Sequence, residues 1–422
     1  MKILKIILLV CALLGGGLFV GTAIFNRQTH NRQTALDNEW RQTTGTTTAE
    51  LLQKYPRQEK NESAVKLEEL AARLLKVNGE TNIKNVFESD FNRFAKRQSV
   101  ESGEAKELSE NLKTFLAAHQ NDFESLYDFI EQNPAPHWKL NLEQPNSESF
   151  AAPQPLDFVF HRNLHRLIAL DALDKTRQNK DDAALRAFAA SWKAAESLRQ
   201  RPELTAQIDN FIIAETQLQT LRQMKRVPPE WEIRILEPDY RRTGLEMLQL
   251  EYSAVHSSAF VPMSEWGRAE NNTIWQQFLV ARVLPVFEIN QRLDFSAAGV
   301  RTVAYLQQTD FCSFDRKFSG FDDTTSGNGF FGHPIYINLI EKWQDYAELA
   351  FDSELTSQLL RAKRQATQLS GETAAEQSNL CKDSRWTIAE TRDGSTVIEF
   401  SRAAELLKNT EIPLTYTIKA RD

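Results

Sequence analysis

A run of 20 residues without a single charge, from Ile6 to Phe25, follows the opening Met1-Lys2-Ile3-Leu4-Lys5. A helix of that length spans a bilayer core of roughly 30 Å. The run is therefore expected to be an anchor outside any globular core, and it decides on which side of a membrane the remaining chain folds. Lys2 and Lys5 precede it and Arg27 and Arg32 follow, with Asp37 and Glu39 further on, so the charge bias is small. The short basic start resembles a signal sequence and predicts a cytoplasmic N-terminus. Cleaved signal peptides carry an apolar region of about 7 to 15 residues, so an uncleaved signal anchor is expected, although Gly21-Thr22-Ala23 offers a small-residue cleavage site. Cys11 follows Leu9-Val10, a poor lipobox, and reads as a membrane cysteine. The expected address is a single-pass inner-membrane protein, with the bilayer as partner through residues 6–25 and the body periplasmic or otherwise extracytoplasmic.

That address bears on the two other cysteines, Cys312 and Cys381. On an oxidising side of the membrane a disulfide between them can form. Two unrelated buried thiols are the equal alternative.

With 41% hydrophobic, 25% charged and 10% aromatic residues the chain is ordinary globular material, and its net charge of −7 excludes nucleic acid as the expected partner. Residues 26–48, rich in Thr, Gln, Asn and Arg, read as a flexible stalk. Residues 49–132 form an N-terminal helical region. Leu67, Leu70, Leu74 and later Leu112, Phe115, Leu116, Phe123, Leu126 and Ile130 recur there at three- and four-residue spacing. Prolines 134, 136, 145, 153 and 155 mark a connection over 133–156 that cannot propagate a helix. It is either the main domain boundary or a long connection across one core. The main helical domain follows over 157–380, and residues 381–422 form a small α+β cap. In the cap, Trp386–Glu390 and Thr396–Phe400 flank Arg392-Asp393-Gly394-Ser395, a hairpin signal. A short helix at Ala403–Lys408 and a strand at Leu414–Lys419 complete a ββαβ order.

Within the main domain, a helix through Phe160, Leu164, Leu167 and Leu173 meets the polar turn Gln178-Asn179-Lys180-Asp181. A second helix then presents Leu185, Phe188 and Trp192 up to Arg201-Pro202. This resembles one tetratricopeptide unit of about 34 residues. A solenoid needs about three stacked units, and no second copy is present, so a helical hairpin inside a larger helical body is the plainer expectation. The run Leu164-His165-Arg166-Leu167-Ile168-Ala169-Leu170-Asp171-Ala172-Leu173, with Ser197-Leu198-Arg199-Gln200-Arg201-Pro202, resembles a group of bacterial membrane-anchored, mostly helical proteins of uncharacterised function. The resemblance implies an address and a fold class, and no catalytic residue or cofactor.

Asp157, His161 and His165 lie four residues apart and would share one helix face, and two such histidines can hold a metal. Arg162 stands where His-Glu-x-x-His needs its glutamate, and a catalytic metal needs a third ligand. The cheaper expectation is a set of solvated polar residues on an outer face. Gly327-Asn328-Gly329-Phe330-Phe331-Gly332 matches a dinucleotide fingerprint by letter only, because Asp322-Asp323-Thr324-Thr325-Ser326 precedes it where a strand should be. The same acidic loop lacks the ligand pattern of an EF-hand. Its Phe318, Phe321, Phe330 and Phe331 either tuck into the core or form a contact loop for a partner or a lipid surface.

No Gly-x-Ser-x-Gly, Cys-x-x-Cys or Gly-Lys-Ser/Thr occurs, and no cofactor is expected. The fold class that follows is mainly α, with an N-terminal transmembrane helix, a helical-hairpin body and a small C-terminal α+β cap. The leading expectation for function is a non-catalytic, membrane-anchored protein that binds another protein or an envelope component. The alternative is an envelope hydrolase whose site assembles from His161, His165, His333 and the acidic loop.

Overall fold

The computed structural model describes residues 24–25, 27–75, 86–91, 107–140, 158–254, 284–312, 335–365, 374–406 and 414–418. The described protein is mainly helical, with a small four-stranded sheet at its C-terminal end. Among the described residues no helix is long and apolar enough to cross a membrane. Of the apolar run at 6–25, only Ile24 and Phe25 are among them.

The segment expected as a flexible stalk is instead largely helix α1, residues 27–44, docked on the body. Its polar composition hides one apolar edge. Leu36 and Trp40 lie one turn apart and both are buried, and the Trp40 indole donates to Ser296 Oγ at 3.1 Å. Arg32 pairs with Asp294 alongside. Gly45, at φ 79°, ends the helix in the left-handed region open to glycine, with its N–H donating to Arg41 O. Helix α2 (Thr48–Lys54) then opens with a reciprocal capping box between Thr47 and Glu50.

Helix α3 (Glu62–Leu74) is capped by Asn61, whose side chain accepts from the Ala64 N–H at 2.8 Å. The same side chain donates to Ala135 O and accepts from His137 N–H, so one residue both starts a helix and clasps the chain that follows the first prolines. A bridge between Gln58 and Leu140 extends the clasp. Helices α4 (Glu110–Ala118) and α5 (Gln120–Gln132) meet at His119, and α3 packs against α5.

The centre of the molecule is a layer of three helices: α6 (Phe158–Arg177), α7 (Asp181–Ala194) and α8 (Leu204–Gln223). The polar turn between α6 and α7 places Asn179 at φ 59°. One hydrophobic core joins Leu67, Phe123 and Trp138 to Leu164, Leu167 and Leu198. Described residues from both sides of the proline-rich connection therefore share one core. The second core lies on the other side of the layer, built from Trp40, Phe188, Trp192, Leu218, Trp231, Trp343, Phe351 and the sheet.

Helices α9 (Tyr240–Ala254), α10 (Leu284–Gln308) and α11 (Ile335–Gln365) complete this second half. They cross closely where Gly244 of α9 meets α11: a Cβ there would stand 3.0 Å from the Tyr346 ring and 3.2 Å from the Trp343 ring. Helix α11 also carries the sheet. Strands β1 (Ala374–Gln377), β2 (Arg385–Glu390), β3 (Thr396–Phe400) and β4 (Thr415–Ile418) pair antiparallel in the order β1-β2-β3-β4. Trp386 faces Phe400 and Ile388 faces Ile398 across the central pair, so one face is apolar and rests on α11. The β2–β3 hairpin turns at Gly394, φ 79°, and residues Ala403–Leu406 form the expected short helix before β4. Strand β1, a fourth member added at the edge, has no counterpart in the sequence expectation.

Cys312, just beyond α10, and Cys381, in the turn before β2, form a disulfide with their Cα atoms 5.5 Å apart. Beside it the Lys382 N–H donates to Asp310 Oδ2 at 3.0 Å. Together these tie the sheet to the carboxyl end of α10.

Candidate binding cleft

His161 and His165 are not the solvated outer-face residues their spacing suggested. Both are buried, at 2% and 1% exposure, because α6 is covered on both sides by the neighbouring helices and by the 137–140 segment. The His161 ring meets the edges of Trp138 at 4.5 Å and Phe160 at 5.2 Å. The His165 Nδ1 lies 2.8 Å from Ser191 Oγ, which also accepts from Gln217 Nε2 at 3.0 Å. Burial drives both imidazoles down to about 3, helped at His161 by His165, Arg201 and Lys60 and at His165 by Arg199. A neutral imidazole of that kind is a poor base at neutral pH, so the His165–Ser191 contact is a core hydrogen bond with no nucleophile to activate. Asp157 lies outside the described residues. Among those residues no group of three or more His, Cys, Asp or Glu is placed to hold a metal ion.

The pair makes a prediction about pH. Each folded value lies below the unfolded 6.5, so the neutral rings contribute stability that is complete above pH 6.5 and declines as pH falls towards 3. Between pH 7 and 5.5, above the range where ordinary carboxylates titrate, the two together should cost about 2–3 kcal/mol. Urea midpoints at the two pH values measure this. His165→Gln, which keeps a side chain for Ser191, should remove about half of the pH dependence, and equal midpoints for the wild-type chain would refute the assignment.

Directly beyond these histidines the described residues form a cleft of about 620 Å³. Its walls are the end of α2 with Tyr55, the segment His137–Leu140, the turn Glu196–Arg201, Asn210 of α8 and the start of α9. One edge is electrostatically settled. Glu246 accepts from Lys54 Nζ at 2.5 Å, from the Tyr55 hydroxyl and from Arg242 Nε at 3.0 Å. Burial opposes its ionisation, but those three donors outweigh it and hold the Glu246 carboxyl below its usual range. Burial and the same carboxylate push the Tyr55 phenol up.

The floor is different. Arg199 is half-buried with its guanidinium 4.2 Å over the Trp192 ring, and its Nη2 donates to Trp192 O at 2.9 Å. Among the described residues its Nη1 has no partner. Burial depresses Arg199 to about 10, against the opposing pull of Tyr240, Glu196 and Glu237 nearby. Arg201 binds Glu203 through Nε at 3.0 Å and Lys139 O through Nη2 at 3.0 Å, yet its Nη1 is likewise unpartnered. Trp138 Nε1, Ser197 Oγ and Asn210 Oδ1, all in buried side chains, are further unmatched polar atoms on residues lining this cleft. Each of these atoms is closed off from solvent, in places where the polar groups of folded proteins are nearly always hydrogen-bonded.

Sequence reasoning missed this floor, although one signal was present. Arg199 and Arg201 flank Gln200 just before Pro202 in an acidic chain, and a proline there stops the helix where its last residues can line a surface. The remaining proposed site residues, Phe318, Phe321, Phe330, Phe331, His333 and the loop at Asp322 and Asp323, lie outside the described residues. No family model matches the chain, and neither the curated proteins nor the solved structures searched gave a match.

Proposed function

We propose that this chain is a membrane-anchored, extracytoplasmic binding protein without a catalytic role, held by the run at 6–25 and engaging a partner or envelope component through the cleft above Arg199. The observation that carries the reading is the cleft of about 620 Å³, whose walls bring Lys54, Arg199, Arg201 and Arg242 together with Glu196, Glu237 and Glu246. The Cys312–Cys381 disulfide supports the address, since such bonds persist in oxidising compartments. The α6–α7 hairpin with its Asn179 turn is read as a single tetratricopeptide-like unit embedded in the larger helical body.

Reporter fusions after residue 48 and at the C-terminus of the full chain test the address. Reporters active only outside the cytoplasm should work at both positions. A cytoplasmic signal at either would replace this reading with a tethered cytosolic adaptor and would make both cysteines free thiols.

A further inference from the structure

We propose that a second cavity, at the other end of α7 from the cleft, binds a phosphate monoester with an apolar body. The inference goes beyond the binding-protein reading and does not depend on it. The cavity, of about 750 Å³, lies where the α6–α7 turn, the segment after α8 and the last turns of α11 come together. Oxygen atoms of the chain hold two ammonium groups at its walls. Lys225 Nζ donates to the Asn179 amide oxygen at 2.5 Å. Lys363 Nζ donates to Arg222 O at 2.5 Å and to Met224 O at 3.2 Å. Lys180 follows Asn179 directly and is exposed on the same wall. Among the described residues neither Lys180 nor Lys225 forms an ion pair.

The charge arrangement selects the ligand. Arg364 forks onto Glu232 with two bonds of 2.9 Å, and Arg226 reaches Asp181 at 3.7 Å. The guanidinium groups, whose planar fork best suits a carboxylate, are thus engaged by the chain itself. What the cavity offers a ligand is lysine, a point charge that binds phosphate without demanding a plane. Even with Glu232 counted beside Asp181 and Asp182, five bases face three acids, an excess of two positive charges in a chain of net charge −7. A phosphate monoester carries about two negative charges near neutral pH, concentrated on one tetrahedral centre, and matches that excess. The rest of the lining includes Leu185, Met224, Val227 and Leu360, which suits an apolar group on the ester.

Two sources share this chemistry, a soluble phosphate ester and the headgroup of a lipid. Calorimetric titration of the full-length chain in micelles of an uncharged detergent separates them. Phenyl phosphate is the soluble probe, and dioctanoyl phosphatidic acid mixed into the same micelles is the lipid probe, with succinate and dioctanoyl phosphatidylcholine as comparisons. Saturable binding of at least one phosphate compound is expected, and the tighter one identifies the source. Succinate, which spreads its two charges over two planar groups, should bind at least about tenfold more weakly. The double substitution Lys180→Gln with Lys225→Gln should weaken phosphate binding by about tenfold or more. Because Lys225 also holds Asn179, Lys180→Gln alone provides a variant that gives up no described hydrogen bond, and it should fold normally and bind several-fold more weakly. The proposal is overturned if neither phosphate compound binds saturably, if succinate binds as tightly as the better of them, or if both variants bind it as the wild type does. None of these outcomes bears on the cleft above Arg199, whose lining residues are all different.

Discussion

Replacing Glu354 by alanine is expected to destabilise the protein by about 3–6 kcal/mol, a large share of the 5–15 kcal/mol typical of a folded domain. Glu354 lies on α11 beneath the sheet and is buried at 6% exposure. Its carboxylate accepts from Ser378 Oγ at 2.7 Å, from the Asn379 N–H at 2.9 Å and from Trp386 Nε1 at 2.8 Å. Alanine leaves all three donors without this acceptor, and the two buried ones, Ser378 Oγ and Trp386 Nε1, each cost about 1–3 kcal/mol. The loss falls where the sheet meets the helix that carries it. Urea denaturation gives the magnitude, and amide hydrogen exchange gives the place: β1 and β2 should lose protection well before α8. Glu354→Gln keeps an acceptor oxygen and the side-chain shape and should cost much less. An alanine variant within about 1 kcal/mol of wild type would show that the carboxylate is not the attachment point described here.

Loss of the Cys312–Cys381 bond should cost about 4 kcal/mol, the chain-entropy expectation for a loop closed over 69 residues. The bond acts with the Lys382–Asp310 contact and the Phe311–Leu380 backbone bond, so its removal loosens the β1–β2 turn, which Glu354 still holds through Ser378 and Asn379. The double substitution Cys312→Ser with Cys381→Ser, compared with wild type in urea with and without reductant, measures this. Reductant should lower the wild-type midpoint to that of the double variant and slow the chain on a denaturing gel. Unchanged migration and two titratable thiols in the non-reduced protein would dismiss the bond.

Much of the helical framework was legible because its helices obey a simple rule. Helix α5 buries Phe123, Leu126, Tyr127 and Ile130 and turns its other face to water, so the apolar spacing announces it. The hairpin at Gly394 was legible for a similar reason, a turn sequence between two alternating strands. Helices α6 and α8 are a harder case. Their cores include His161, His165, Gln207, Asn210 and Gln217, polar residues buried among the layered helices. Such residues look like a solvated face until the neighbours are known, and those neighbours lie far along the chain. The same limit hid α1, where two apolar residues among many polar ones suffice because Ser296 and Asp294 wait on another helix. Strand β1, Ala-Ala-Glu-Gln, has little strand propensity and exists through its pairing with β2. The cleft was the least legible feature, since its walls come from segments as far apart in the chain as Lys54, Trp138, Arg199 and Glu246.

Helix α7 has a property that follows from having a core on each side. It gives Ala187, Ala190 and Ala194 to one and Ala184, Phe188 and Trp192 to the other. The two halves of the protein therefore share a beam and are not joined by a hinge. A load applied through α1 enters the second core at Trp40 and meets the first across the width of a single helix. Such a body yields as one piece, and it transmits a pull on its N-terminal helix to the segment around Arg199 with little slack between them.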